Sequence, residues 1–364
     1  MKKSLVALAI LAAAGVASAQ SSVTLFGVVD ATYAYGSGSG AGSSSKSQLT
    51  NSGHTASRIG FRGTEDLGGG MSASFWLEAG INNDNGTGQA TNINNQTTGT
   101  SAATAGTQGL TFNRRSTVSL ASGLGELRLG RDYSPQFWNQ TVFDPFGTLG
   151  VGTSQALNSS IGGNGLTGIR ASNSIGYFLP GNLGGFYGQF QHYLGENNQT
   201  GAATEDDGKG SAIRLGYANG PVNVAFATSS TKFATTATTG DIKSTNVGGS
   251  FNFGVAQVMA LVTRDKVEQT ANLTGKGALL GALIPLGAGE IRASYSTYKT
   301  NAATTPKSKK IALGYVHNLS KRTALYTTFA RVTNSGGASQ ALNGAVTAAN
   351  ARSTGYDFGI KHSF

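Results

Sequence analysis

The sequence predicts an all-β chain: a 16-stranded antiparallel transmembrane β-barrel with an inward-folded third loop. Three observations carry that expectation: segments of period two, a glycine-rich composition without cysteine, and an alternation of long and short connections. Residues 355–364, GYDFGIKHSF, show the first. Tyr356, Phe358, Ile360, His362 and Phe364 share one face, and Asp357, Gly359, Lys361 and Ser363 share the other. A soluble sandwich strand rarely buries a terminal aromatic ring with a lysine opposite it and nothing following. The segment therefore reads as the last stave of a closed barrel.

Composition agrees. Glycine supplies 54 of 364 residues and proline 6, with abundant Ser, Thr and Asn, which suits many turns between strands better than helices. With no cysteine, disulfides and a structural thiolate zinc site are excluded. The longest apolar run after the N-terminus, 278–289, is too short for a spanning helix and long enough for a tilted strand. A mean hydropathy of −0.13 is compatible, because a barrel hides its apolar face in every second residue.

Taken in order, the chain opens with Lys2 and Lys3, an apolar run over 5–16 and the pattern Ala17-Ser18-Ala19. This is the form of a signal peptide, residues 1–20, cleaved around residue 19/20; an anchor would need about 20 apolar residues. One barrel domain, 21–364, is expected to remain. Of 27 basic and 17 acidic residues the leader takes two lysines, leaving 25 against 17, a net charge of +8. The cations are spread singly rather than clustered, so no nucleic-acid partner is expected.

Strand 23–35 sets Val23, Leu25, Val29 and Tyr33 against Thr24, Asp30 and Thr32. A Gly/Ser loop, 36–55, leads to strand 57–66, where Ile59 and Phe61 oppose Arg58 and Arg62. After the turn 67–70, strand 72–82 places Phe75 and Leu77 opposite Trp76 and Glu78. Beyond the polar loop 83–108 the same rhythm continues. Strands 110–121 and 126–132 form a pair, as do 170–179 with 186–194, 212–218 with 222–230, 246–253 with 256–266, 276–286 with 290–299, and 310–319 with 323–332. The terminal segment makes sixteen. An even count with long connections at one end and short ones at the other belongs to outer-membrane barrels, whose closure removes exposed edges.

A barrel of sixteen strands is too wide for side chains to fill, so the expected interior is water. The connection 133–167 differs from the other long loops by carrying Pro135, Phe137, Trp138, Phe143, Pro145 and Phe146. Those rings are expected to anchor it in the lumen, with Asp144 facing the opening. Parity assigns Arg58, Arg62, Glu78, Arg128, Arg170, Arg214, Arg292 and Lys361 to the inner face, since Arg or Lys against lipid near mid-membrane costs about 2–4 kcal/mol. At 114–115 parity favours Arg115, because Arg114 shares its face with Val118 and Leu120.

Several segments carry a resemblance: SSVTLFGVVDA (21–31), SRIGFRGTEDLGGG (57–70), FWLE (75–78), NRRSTVSL (113–120), GELRLGRD (125–132), GIRASNSIGY (168–177), LGYVHNLSKRTALY (313–326) and the terminal Phe364. They resemble the general porins of β-proteobacteria over nearly the whole chain after residue 20. The resemblance implies a homotrimer in the outer membrane of a Gram-negative bacterium, in contact with outer-membrane lipid and passing small anionic or polar solutes. It implies a basic constriction matching Arg58, Arg114 and Arg170, an acidic counterpart at Glu78, and a Phe364 read by the barrel-assembly machinery. It favours Arg114 where parity favours Arg115.

The expected function is passive diffusion of small hydrophilic solutes, with a preference for anions, no reaction and no cofactor or metal. A barrel with a mainly structural or adhesive role through its surface loops is the alternative. An outer-membrane hydrolase finds no G-x-S-x-G elbow, and His54, His192, His317 and His362 are scattered. GNGLTG, 163–168, precedes a strand and lacks the strand-to-helix setting of a nucleotide loop.

Overall fold

A computed structural model describes residues 22–96, 109–162 and 167–364. The expected signal peptide lies outside these residues, as do parts of the 83–108 loop and of GNGLTG.

Two-residue alternation folds this chain into one antiparallel sheet. Its strands are β1 (Ser22–Gly38), β2 (Ser45–Asn51), β3 (Arg58–Gly68), β4 (Met71–Asn82), β5 (Thr87–Gly88), β6 (Arg115–Ser122), β7 (Gly125–Tyr133), β8 (Arg170–Phe178), β9 (Phe186–Tyr193), β10 (Gly210–Asn219) and β11 (Val222–Thr231). They continue as β12 (Asp241–Asn252), β13 (Gln257–Glu268), β14 (Leu273–Leu286), β15 (Gly289–Thr300), β16 (Lys307–Asn318), β17 (Thr323–Ser335) and β18 (Arg352–Ser363). One edge of β1 pairs with β18, from Val28↔Ser363 to Gly38↔Ser353. Its other edge pairs with β3 and then β2, so β2 and β3 form a single stave broken at 52–57. With β5 only a two-residue ribbon on β4, the described strands make a closed barrel of 16 staves. At the seam, Gly27 and Phe364 exchange both backbone hydrogen bonds at 3.1 Å. A Cβ on Gly27 would collide with the Phe364 ring.

Strands exceed the expected ones mainly at the long-loop end. The expected loop 36–55 contains the end of β1 and all of β2, because Ser, Thr and Gly extend the ladder where no apolar residue marks it. The expected strand 110–121 is shorter: its ladder with β4 stops at Glu78↔Arg115, and the Gly80 amide donates to Asn113 Oδ1 at 2.8 Å instead.

Parity holds around the sheet. Val23, Leu25, Val118, Leu120, Leu280, Ile311, Leu313 and Phe358 point outward and are exposed, whereas Thr117, Ser119, Ser244, Asn246, Ser296 and Asp357 point inward and are buried. The connection from β7 to β8 carries α1 (Pro135–Val142) and α2 (Gln155–Asn158). It bonds to the polar parity of the opposite wall. Asn246 Nδ2 donates to Gln136 O (3.0 Å), Gln155 N to Ser296 Oγ (2.9 Å) and Val151 N to Asp357 Oδ2 (2.7 Å). Lys310 Nζ donates to Val151 O (3.1 Å) and Thr153 O (2.6 Å). Phe143 packs with Ala225, Leu261 and Leu279, in space left open by Gly248, where a Cβ would strike its ring. Phe146 and Val151 pack with Ala312, Ala330, Val332 and Leu342.

Candidate pore constriction

Three arginines converge on one cavity. Arg58 opens β3, Arg170 opens β8 and Arg114 stands one residue before β6; together with Tyr133, Trp138 and Thr55 they line a space of about 290 Å³. Glu78, on β4, is buried among them. Its Oε1 accepts from Arg114 Nε at 2.6 Å and lies 3.7 Å from Arg58 Nε, while its Oε2 accepts from Trp76 Nε1 at 3.1 Å. Tyr133 joins the remaining pair: its hydroxyl accepts from Arg114 Nη2 (2.5 Å) and Arg170 Nη2 (2.9 Å), and the Arg170 guanidinium lies 4.4 Å from its ring centroid. One carboxylate thus faces three guanidinium groups. The excess is positive and its neutral acceptors, Tyr133 OH and Ala56 O, leave it so. Charged donors held by fixed acceptors do not collapse onto one another, which preserves an anion-attracting potential in the opening.

Arg115 also lies on the inner parity of β6, but off this cavity. Its Nε donates to Thr117 Oγ1 at 3.0 Å, its guanidinium sits 4.6 Å from the Trp76 ring, and Asp132 is 3.9 Å away. Arg114 precedes the regular strand, so parity does not govern it; the two neighbours both point inward. Arg62 lies over Phe26 and Trp76 (5.2 and 5.1 Å). Arg128 is paired with Asp132 (2.6 Å) and Glu126 (3.0 Å), and Arg292 with Glu290 (2.5 Å). Arg214 Nε donates to Asn139 Oδ1 in α1 at 2.5 Å, and Lys361 stands opposite Asp30 in the seam register.

Asp144 differs from expectation. It is buried, its Oδ1 accepting from Phe146 N (2.9 Å) and its Oδ2 from Ser154 N (3.0 Å), so it closes the connection on itself and does not face the opening. Burial pushes its carboxyl above the usual carboxylate range, and these two amides oppose the shift.

Two further residues support the site. The break at 52–57 is held by Asp30, whose Oδ2 accepts from His54 N (2.9 Å) and Thr55 N (2.6 Å) while Tyr326 OH donates to its Oδ1. This brings Thr55 and Ala56 to the cavity beside Arg58. Tyr133 was the other; an isolated tyrosine at a strand end gives no signal. An aspartate in mid-strand on a polar face does give one.

A profile of the Gram-negative porins matches residues 4–337. The chain is 39% identical to outer membrane porin protein 32 of Delftia acidovorans, with all of both chains covered. Among solved structures it is similar to the anion-selective porin of Comamonas acidovorans, with a TM-score of 0.82 and 36% identity over 95% of this chain and 100% of that one. It is also similar to the trimer form of OmpT of Vibrio cholerae, with a TM-score of 0.63 over 94% and 99% of the chains; at 11% identity this likeness concerns the fold alone. By profile, full-length relative and closed sixteen-stave sheet together, the chain belongs to the Gram-negative porin family of the outer membrane.

Proposed function

We propose that the protein is a water-filled channel for passive diffusion of small hydrophilic solutes, selective for anions, and that it catalyses no reaction. The single observation that carries the selectivity is the cavity wall where Arg58, Arg114 and Arg170 meet the lone carboxylate of Glu78. In this reading the β7–β8 connection folds into the lumen and narrows it. The bonds from Lys310, Asp357, Asn246 and Ser296 to that connection support the placement. Arg62, Arg115, Arg128, Arg214, Arg292 and Lys361 extend positive potential along the wall, less strongly where a carboxylate is paired. Asp144 serves the connection's own fold rather than the acidic side of the opening.

The outward apolar rows fit outer-membrane lipid and, over part of the circumference, two further copies in a homotrimer. Cleavage around residue 19/20 and capture of Phe364 by the barrel-assembly machinery belong to the same reading. The test is the reversal potential in a planar bilayer under a salt gradient. Arg58→Ala and Arg170→Ala are each expected to move it towards cations; unchanged potentials in both overturn the basic constriction, and a purified protein without ion-permeable openings overturns the channel.

A further inference from the structure

The helix α1 faces the opposite way from most amphipathic helices. Gln136, Asn139 and Gln140, at i, i+3 and i+4, are buried on one side, where Asn139 Oδ1 accepts from Arg214 Nε of β10 and Gln136 Nε2 donates to Thr167 O. Phe137, Trp138 and Thr141 share the other side and line the cavity of the three arginines, with both rings only partly buried. An amphipathic helix ordinarily buries its apolar stripe and leaves its amides to water. Here the amides are covered and the aromatic carbon is open to the cavity.

The rings form a platform continuous with the charge. Tyr133 stacks on Phe137 with centroids 5.4 Å and planes 11° apart, it meets Trp138 at 5.3 Å, and the Arg170 guanidinium lies 4.4 Å from its own centroid. Leu149, Leu157 and Ile169 complete the apolar part of the lining. On the charged part, donors are in excess. A guanidinium carries several N–H groups, yet among the described residues the Arg58 side chain donates only to Ala56 O and the Arg170 side chain only to Tyr133 OH. An inorganic anion takes up those donors and leaves the rings in water. An anion joined to a flat apolar body uses both, because its carboxylate answers the planar guanidinium and its ring covers the aromatic carbon.

We propose that this cavity is a binding subsite for aryl carboxylates, with Trp138 as its specificity-determining residue; the inference rests on the channel reading above. The carboxylate takes the remaining N–H groups of Arg58 and Arg170, and the ring lies against Trp138 and Leu149. Size agrees: an apolar cavity of about 150 Å³ holds a benzene ring, so the space of about 290 Å³ admits one ring with its carboxylate. Charge then selects anions over cations, and the open face of α1 selects among anions.

The experiment records single-channel current of the purified full-length protein in planar bilayers bathed in potassium chloride, with benzoate, acetate or benzamide added. Acetate keeps the carboxylate without the ring, and benzamide keeps the ring without the charge. Benzoate is expected to block the current at a concentration at least about tenfold below either comparator. Trp138→Ala is expected to raise the half-blocking concentration of benzoate by about tenfold and that of acetate by less than about threefold, whereas Trp138→Phe retains most of the block. Equal block by benzoate and acetate, or by benzoate and benzamide, overturns the subsite, as does an unchanged benzoate block in Trp138→Ala. If Trp138→Ala forms no channel, the three solutes on the unaltered protein decide by the same comparison. The two readings fail separately. An anion-selective reversal potential with no preference for benzoate removes the aryl-carboxylate subsite alone, whereas a protein without openings, or without anion preference, removes the channel reading and the subsite with it.

Discussion

Glu78 sets the balance of charge at the residue scale, because among the described residues it is the one carboxylate in contact with both Arg58 and Arg114. Replacing it by glutamine keeps one of the two acceptor oxygens that serve Arg114 Nε and Trp76 Nε1 while removing a negative charge from the wall. The permeant anion then loses a like charge from its path. At ~4 Å in water such a pair interacts by about 1 kcal/mol, so Glu78→Gln is expected to raise the anion-to-cation permeability ratio several-fold. Reversal potentials under a low-salt gradient measure it; a shift towards cations contradicts the assignment. Tyr133 works on geometry instead, holding Arg114 and Arg170 by one hydroxyl and leaving the charge count unchanged. Hydrogen bonds to charged groups contribute about 1.5–3 kcal/mol each, so Tyr133→Phe is expected to lower thermal stability and to reduce anion preference less than loss of either arginine.

At the scale of elements, the β7–β8 connection depends on a few bonds from the far wall. Lys310 is buried and donates to two carbonyls of that connection, and removing it leaves both acceptors without this donor. A buried acceptor left unsatisfied costs about 1–3 kcal/mol, so Lys310→Met is expected to lower the melting temperature and to make single-channel current noisier as the tip 151–153 loosens. Quiet channels with an unchanged melting temperature contradict that role. The staves themselves were legible, since Val118 and Leu120 against Thr117 and Ser119 declare a strand and both its faces. The seat of the connection was not. Phe143 rests where Gly248 has no side chain, and an absent side chain carries no pattern along a sequence. Lys310 follows parity, on the face opposite Ile311 and Leu313, but its partners at Val151 and Thr153 are met only once the sheet has closed. Arg114 fell outside parity because the ladder stops beside it, whereas Arg58 and Arg170 sit within ladders and were legible.

At the scale of the whole molecule, closure turns a twofold sequence pattern into two surfaces with different solvents. The seam from Val28↔Ser363 to Gly38↔Ser353 joins the first stave to the last, so the backbone there is paired within the sheet where lipid offers no substitute. Selectivity inherits a limit from the same architecture. In the proposed channel the constriction charges face electrolyte, and mobile ions screen them over a Debye length that falls from ~10 Å at 0.1 M to ~3 Å at 1 M. Direct contacts at Arg58, Arg114 and Arg170 act below the shorter length, whereas Arg62, Arg128, Arg292 and Lys361 contribute through the longer-range field. Raising the salt on both sides at a fixed concentration ratio is therefore expected to lower the anion preference towards, but not to, unity. The part that disappears belongs to the distributed wall, and the part that persists at about 1 M belongs to the constriction. Arg58→Ala tests that division: it is expected to remove most of the salt-resistant part. If the variant instead keeps its high-salt preference and loses only the low-salt part, selectivity resides in the distributed field and the converging arginines do not set it.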